Sequence, residues 1–235
     1  MLCVDKLSIQ SSDICLLSPL SFSIAKGEVF GVVGASGSGK SLLAQALLGQ
    51  VPDGFNLSGQ VLHRSGDRRV LAAQSASVLD PLRRISSQLS YALSRVPKGA
   101  TRKRRFPLAA DITRCYRHQL SGGMAKRALL AQACWQASEI MIADEPCCGL
   151  DTQAAEAIYQ HLAYLAQSED VAVMVISHNL RQLLTVADRI LVLRDGKLVE
   201  ITTAANIRNG TCDSYTQSLW AALPEHWGLT NANAA

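Results

Sequence analysis

The cysteines of this chain fall in no ligand-like spacing. There are seven, at positions 3, 15, 115, 134, 147, 148 and 212, with no CxxC pair and no Cys/His cluster. An odd count without such pairs argues against a disulfide framework and a zinc site and fits reduced thiols. Also absent is any run of about 18 uninterrupted apolar residues, so nothing in the sequence reads as membrane-spanning. The stretch Met1–Gln10 alternates apolar and polar residues as a strand does, and lacks the basic start and apolar centre of a signal peptide. No strong charge excess exists: a net +4 over 235 residues is too mild for a dedicated nucleic-acid binder. Internal repeats and low-complexity tracts are missing too. What remains, 48% hydrophobic and 18% charged residues, is the composition of a globular chain, and 235 residues suit one large α/β domain or a domain with a modest insertion.

The order of segments gives that class its content. Strands are expected at Leu2–Ile9, Leu20–Ile24 and Val29–Val33, and a helix at Ser41–Leu48, stopped by Gly49 and Pro52. Between about residues 76 and 119 the pattern turns to helical pieces such as Ile85–Arg95, broken by Pro97, Gly99 and Pro107, with a basic run at Arg102–Arg105. That run reads as a solvated face ahead of a lipid-headgroup or regulatory contact. Alternation then resumes: helix Gly122–Gln136, strand Ile140–Ala143, helix Thr152–Gln167, strand Val171–Ile176, helix Leu180–Ala187 and strand Ile190–Leu193. Asp195-Gly196 turns the chain into a hairpin strand, Lys197–Ile201. Strands alternating with helices predict a mainly parallel sheet with both faces covered.

Directly after the apolar run Val29–Val33, residues Gly34, Ala35, Ser36, Gly37, Ser38, Gly39, Lys40 and Ser41 spell G-x4-G-K-[ST]. Glycines let the backbone curl so that successive N–H groups face phosphate oxygens, and the helix that follows adds its free amides. Lys40 can reach the β- and γ-phosphates and the Ser41 hydroxyl can coordinate Mg²⁺. Such a loop means a nucleoside triphosphate; by itself it does not separate kinase, GTPase and transport ATPase.

Leu120, Ser121, Gly122, Gly123 and Met124 open a predicted helix, and Ile140–Ala143 ends in Asp144-Glu145-Pro146. Alone, Ser-Gly-Gly reads equally well as a helix cap and turn. Joined to the phosphate loop in this order, the set resembles the ABC ATPases, over nearly the whole chain from about Leu2 to Trp227. The resemblance implies a P-loop NTPase fold with an antiparallel β part at the N-terminus. It also implies a RecA-like core at about 1–74 and 137–202, a helical subdomain at about 75–136 and a tail at about 203–235. It implies ATP and Mg²⁺ as ligands, with Asp144, Ser41 and Gln74 at the metal and Glu145 as general base. Gln74 resembles the Q-loop glutamine and His178 the switch histidine on the γ-phosphate. Asp151, in Gly149-Leu150-Asp151, resembles the D-loop. The signature loop closes on the nucleotide of a second ATPase subunit, so a dimer is implied.

Within the family, Met124, the stretch Ser77-Val78-Leu79-Asp80-Pro81 and the ending Tyr215-Thr216-Gln217-Ser218-Leu219 with Pro224 beyond resemble the peptide/nickel importer branch. That branch implies two membrane permease subunits, an extracytoplasmic solute-binding protein, no nucleic acid, and a peripheral place on the cytoplasmic face of the inner membrane. The residues from about 75 to 119 would grip a permease helix. Cys212 stands alone where peptide members often carry a cysteine-rich tail, which tilts the solute toward nickel or a metal chelate, with dipeptides close behind. A soluble cofactor-assembly ATPase is the other class left open. Three departures stand out: no aromatic near Ser11 to stack on adenine, Lys126 where Gln is usual, which bears on contacts across the dimer, and Cys147-Cys148 in place of small hydroxyl residues.

Overall fold

The chain's computed structural model describes residues 1–12, 14–63, 68–72, 74–96, 106, 108–136 and 139–223. The basic run Arg102–Arg105, the breakers Pro97, Gly99 and Pro107, and Pro224 and Trp227 lie outside them.

Apolar runs become strands buried on both faces: β3 (Val29–Gly34), β6 (Ile140–Asp144) and β7 (Ala172–Ile176) have every residue buried. With β5 (Arg69–Ala72), β8 (Arg189–Arg194) and β9 (Lys197–Thr202) they form, among the described residues, a six-stranded sheet of order β5-β6-β7-β3-β8-β9. All neighbours are parallel except β8 and β9. Side chains alternate between two cores, as the strand period of two requires. Val29, Val33, Val173, Val175 and Met141 face one; Phe30, Val32, Met174, Ile176 and Ile142 face the other. The first core is covered by α4 (Gly122–Trp135), α5 (Thr152–Glu169) and α6 (Leu180–Val186), the second by α1 (Lys40–Leu48) and a separate antiparallel sheet. Each large side chain fully buried in these layers contributes about 1.5–3 kcal/mol.

That second sheet has the order β2-β1-β4, from β1 (Leu2–Ser11), β2 (Ile14–Ile24) and β4 (Phe55–His63). The mainly parallel core and the antiparallel N-terminal part are thus both present. Two strands differ from expectation. β2 starts at Ile14, six residues before Leu20, because β1 pairs with it down to Ser11↔Ile14. β4 is additional: its side chains are mostly exposed, so it has little apolar alternation and exists by pairing with β1. Gly59 is needed there, since a Cβ would stand 2.3 Å from the Lys6 carbonyl oxygen. Between β5 and β6 lie α2 (Ile85–Ser94), α3 (Ala110–Arg114) and α4, the helical stretch the breakers foreshadow. After β9, α7 (Ala204–Arg208) and α8 (Ser214–Ala221) return to the first core, where Leu219 and Trp220 pack and the Thr216 hydroxyl donates to Glu200.

The parallel order brings the C-terminal ends of β3, β5, β6 and β7 to one edge, where open α/β sheets bind ligands.

Candidate active site

At that edge a cavity of about 520 Å³ is lined by Ser36, Gly37, Gly39, Lys40 and Ser41, and by Gln74, Asp144, Glu145 and His178. Four separate segments therefore deliver their polar residues to one space. Leu16, Leu42 and Cys148 complete the wall. No Phe, Tyr or Trp is among these lining residues, so the apolar part of the wall is aliphatic.

The phosphate-type loop is set by packing as much as by turn chemistry. A Cβ on Gly34 would lie 2.2 Å from the Leu193 carbonyl oxygen and 2.6 Å from Ser38 Oγ, so β3 and β8 can pair there only with glycine. Gly39 holds a left-handed φ of 97° where the loop enters α1. Lys40 Nζ donates to the carbonyls of Gly34 and Ala35, each at 2.8 Å, which folds the ammonium over the loop. Burial lowers the Lys40 pKa, while the charges of Glu145 and Asp144 hold it up.

Asp144 ends β6, in register with Ile176 of β7. Its carboxyl is buried and its pKa raised by that desolvation, against which the Ser41 hydroxyl bond and the Lys40 charge work. Oδ1 has no hydrogen-bond partner. A buried, orphaned carboxylate oxygen beside a serine hydroxyl is the donor set that a hard oxygen-seeking cation fits.

Glu145 follows with φ at 48°, a left-handed conformation that costs a residue with a side chain about 1–3 kcal/mol. Its surroundings hold it there. The Glu145 N–H donates to the Ile176 carbonyl at 2.9 Å. Its Oε1 accepts the His178 N–H at 2.9 Å and stands 2.9 Å from His178 Nδ1. Its carbonyl accepts from Lys126 Nζ at 3.0 Å, and the same ammonium donates to the Gln74 carbonyl at 2.6 Å. Lys126, expected to bear on contacts across a dimer, thus bonds within its own chain. Burial lowers its pKa.

The signature residues sit elsewhere. Ser121 caps α4 by accepting from the Met124 N–H at 3.3 Å, and Leu120 packs at the margin of the first core. None of the five lines the phosphate-loop cavity; Gly123 and Met124 instead line a second one, of about 320 Å³. Asp151 caps α5, accepting from the Ala154 N–H at 2.9 Å.

The family model described as ABC transporter matches residues 17–148 of the chain. A dipeptide transport ATP-binding protein, DppD of Escherichia coli (strain K12), is 32% identical, with 96% of this chain and 79% of that protein covered. This chain belongs to the ABC transporter family. It is an ATP-binding subunit of that family and an ATPase. Another relative, the glutathione import ATP-binding protein GsiA of E. coli K12, is 29% identical, and the chain spans 42% of its length. Among solved structures, the dimeric post-hydrolysis ATP-binding cassette MJ0796 bound to ADP and Pi aligns over 87% of this chain and 99% of its own, with a TM-score of 0.74. A structure described as the ATP-binding subunit of an ABC transporter aligns over 94% of this chain with a TM-score of 0.77. At 22% and 19% identity these two establish the fold.

The cavity also holds three residues not predicted for the site, Leu42 of α1, Leu16 and Cys148. Leu16 reaches it because β2 runs longer than its apolar stretch suggests, and Cys148 because the turn after Glu145 bends back toward the loop. Lys126 bonds residues 52 and 19 positions away, which no local pattern announces.

Proposed function

We propose that this chain is the ATP-hydrolysing half of the engine of a membrane importer for peptide-type solutes. The observation that carries the reading is the separation of its two phosphate-directed loops. The loop at residues 34–41 faces one cavity and the signature at residues 120–124 does not line it. A chain so built completes its site with a second subunit's signature, either a copy or a homologue. The solutes of the two relatives, dipeptide and glutathione, support the peptide side of the peptide/nickel pair.

In this reading Gly34, Ala35, Ser36, Gly37, Ser38, Gly39 and Lys40 cradle the phosphates, and Ser41, Asp144 and Gln74 would hold Mg²⁺. Held there, Mg²⁺ would supply neutralisation of phosphate charge. Glu145 takes the proton of the attacking water as its oxygen bonds the γ-phosphorus; the bond to the β,γ-bridging oxygen breaks and ADP leaves. His178 Nδ1–H donates to Glu145 Oε1 and fixes the orientation of that carboxylate. Ser121, Gly122 and Gly123 act on the partner's ATP at the start of α4, and Asp151 stands at the subunit boundary. The division into a core at 1–74 and 137–202, a helical subdomain at 75–136 and a tail at 203–235 follows the same logic.

No described helix is long and apolar enough to cross a membrane. Attachment at the cytoplasmic face then runs through a permease, for which the segment beside Gln74 offers Val78, Leu82 and Tyr91, with Leu82 86% exposed. Affinity capture of the full chain from detergent-solubilised membranes of its own cells is expected to bring down polytopic membrane subunits, and Leu82→Glu to lose them. Capture of soluble proteins only would refute the transport reading. In the captured assembly, a dipeptide-loaded binding protein is expected to stimulate ATP hydrolysis. Stimulation by nickel alone would overturn the choice of solute.

A further inference from the structure

We infer that Lys126 is a positioning residue for hydrolysis: from the signature helix it holds the backbone of Gln74 and the backbone of Glu145 at one point. The inference rests on the proposed role of Glu145 as general base. Lys126 lies in the first turns of α4, shortly after the Ser121 cap. Its ammonium bonds the Gln74 carbonyl at 2.6 Å and the Glu145 carbonyl at 3.0 Å, joining three segments far apart in the chain. An ammonium has three donors in no fixed plane, which suits two carbonyls arriving from different directions. Both are the carbonyls of residues whose side chains enter the cavity, while Lys126 itself does not line it.

The Glu145 conformation makes such a bond consequential. With φ at 48°, the residue stays left-handed only while its neighbours over-determine it. The Ile176 carbonyl holds its N–H, and Lys126 and the Cys148 N–H hold its carbonyl. Without the ammonium, the turn can relax and swing the carboxylate off the line of the attacking water, while the loop that binds ATP, built on β3 and α1, is untouched. Because the ammonium rides on the helix that begins with the signature, a shift of that helix is felt at both Gln74 and Glu145.

The test is Lys126→Met, which keeps the stem and removes the donors, beside Lys126→Arg, which keeps a charged donor. In the full chain, Lys126→Met is expected to speed amide exchange in the segment after Gln74 and in the turn Glu145–Leu150 together. It is expected to lower turnover at saturating ATP by about 10- to 100-fold, the scale of a misplaced reacting group, with ATP affinity unchanged. Lys126→Arg should restore both readouts. Wild-type exchange and turnover in Lys126→Met would overturn the inference, as would a loss of turnover, ATP affinity and melting temperature together that Lys126→Arg leaves uncorrected. Glu145→Gln separates the two claims. If it hydrolyses ATP at the wild-type rate, the base assignment fails; if it is inert while Lys126→Met is not impaired, this inference alone fails.

Discussion

Two glycine-to-alanine exchanges should act in opposite ways. In Gly34→Ala the new methyl would lie 2.2 Å from the Leu193 carbonyl oxygen, more than an ångström inside normal contact, and 2.6 Å from Ser38 Oγ. The first obstacle is backbone of the neighbouring strand, in register at Gly34↔Leu193, so β3 and β8 must separate to admit it. Overpacking of that kind costs about 1–3 kcal/mol. For a chain of this size each kcal/mol moves the melting temperature by about 2–4 °C, so a drop of several degrees is expected. Gly122→Ala meets nothing within 4 Å in its own chain and sits in the first turn of α4. Its melting temperature should stay within about 1–2 °C of wild type, since the cost is within ~0.5 kcal/mol. ATP binding should survive, yet turnover should fall, because the space over Gly122 is where the partner's phosphate is proposed to come. Scanning calorimetry of both variants, with ATP affinity and turnover for the second, gives the comparison. An unchanged melting temperature in Gly34→Ala would refute the packing argument. Normal turnover in Gly122→Ala would refute the role given to the signature.

Two further outcomes follow from single side chains. Lys40→Ala removes the ammonium folded over the loop, and calorimetry should show ATP bound more weakly through the lost charge-assisted contact; unchanged affinity would count against the cradle. His161 has its pKa lowered by burial from an ordinary value near 6.5, with Nε2 buried and unbonded and its ring edge-on to Phe106 at 4.6 Å. The unfolded chain therefore takes up this proton first as pH falls. The stability tied to neutral His161 is present above about pH 6.5 and is lost as pH falls through the folded value. Melting curves from pH 7 downward should show His161→Gln losing less stability than wild type, and parallel losses would contradict the assignment.

How much was legible depends on where each signal lives. Strands buried on both faces, such as Val29–Gly34 and Ile140–Asp144, announce themselves as apolar runs, and the turn Asp195-Gly196 by two left-handed residues. The phosphate loop is local, since its glycines serve backbone curvature within a few residues. β4 was invisible because its side chains are mostly exposed and its partner, β1, is distant in sequence. The early start of β2 has the same cause, and with it the arrival of Leu16 in the cavity. That the cavity gathers Gln74, Asp144, Glu145 and His178 follows from strand order, which brings four C-terminal ends together and is not written in any one segment. Lys126 shows the limit most plainly. Its substitution is visible in the sequence, but its two carbonyl partners belong to tertiary structure alone.

The central claim is that Glu145, held in a strained turn by His178, Ile176 and Lys126, activates the water that cleaves ATP. Measuring ATP affinity and single-turnover hydrolysis of Glu145→Gln tests it most directly. Affinity should persist while hydrolysis falls by about 10²–10⁴-fold, the scale of a lost general base. Near-normal hydrolysis in that variant would contradict the claim.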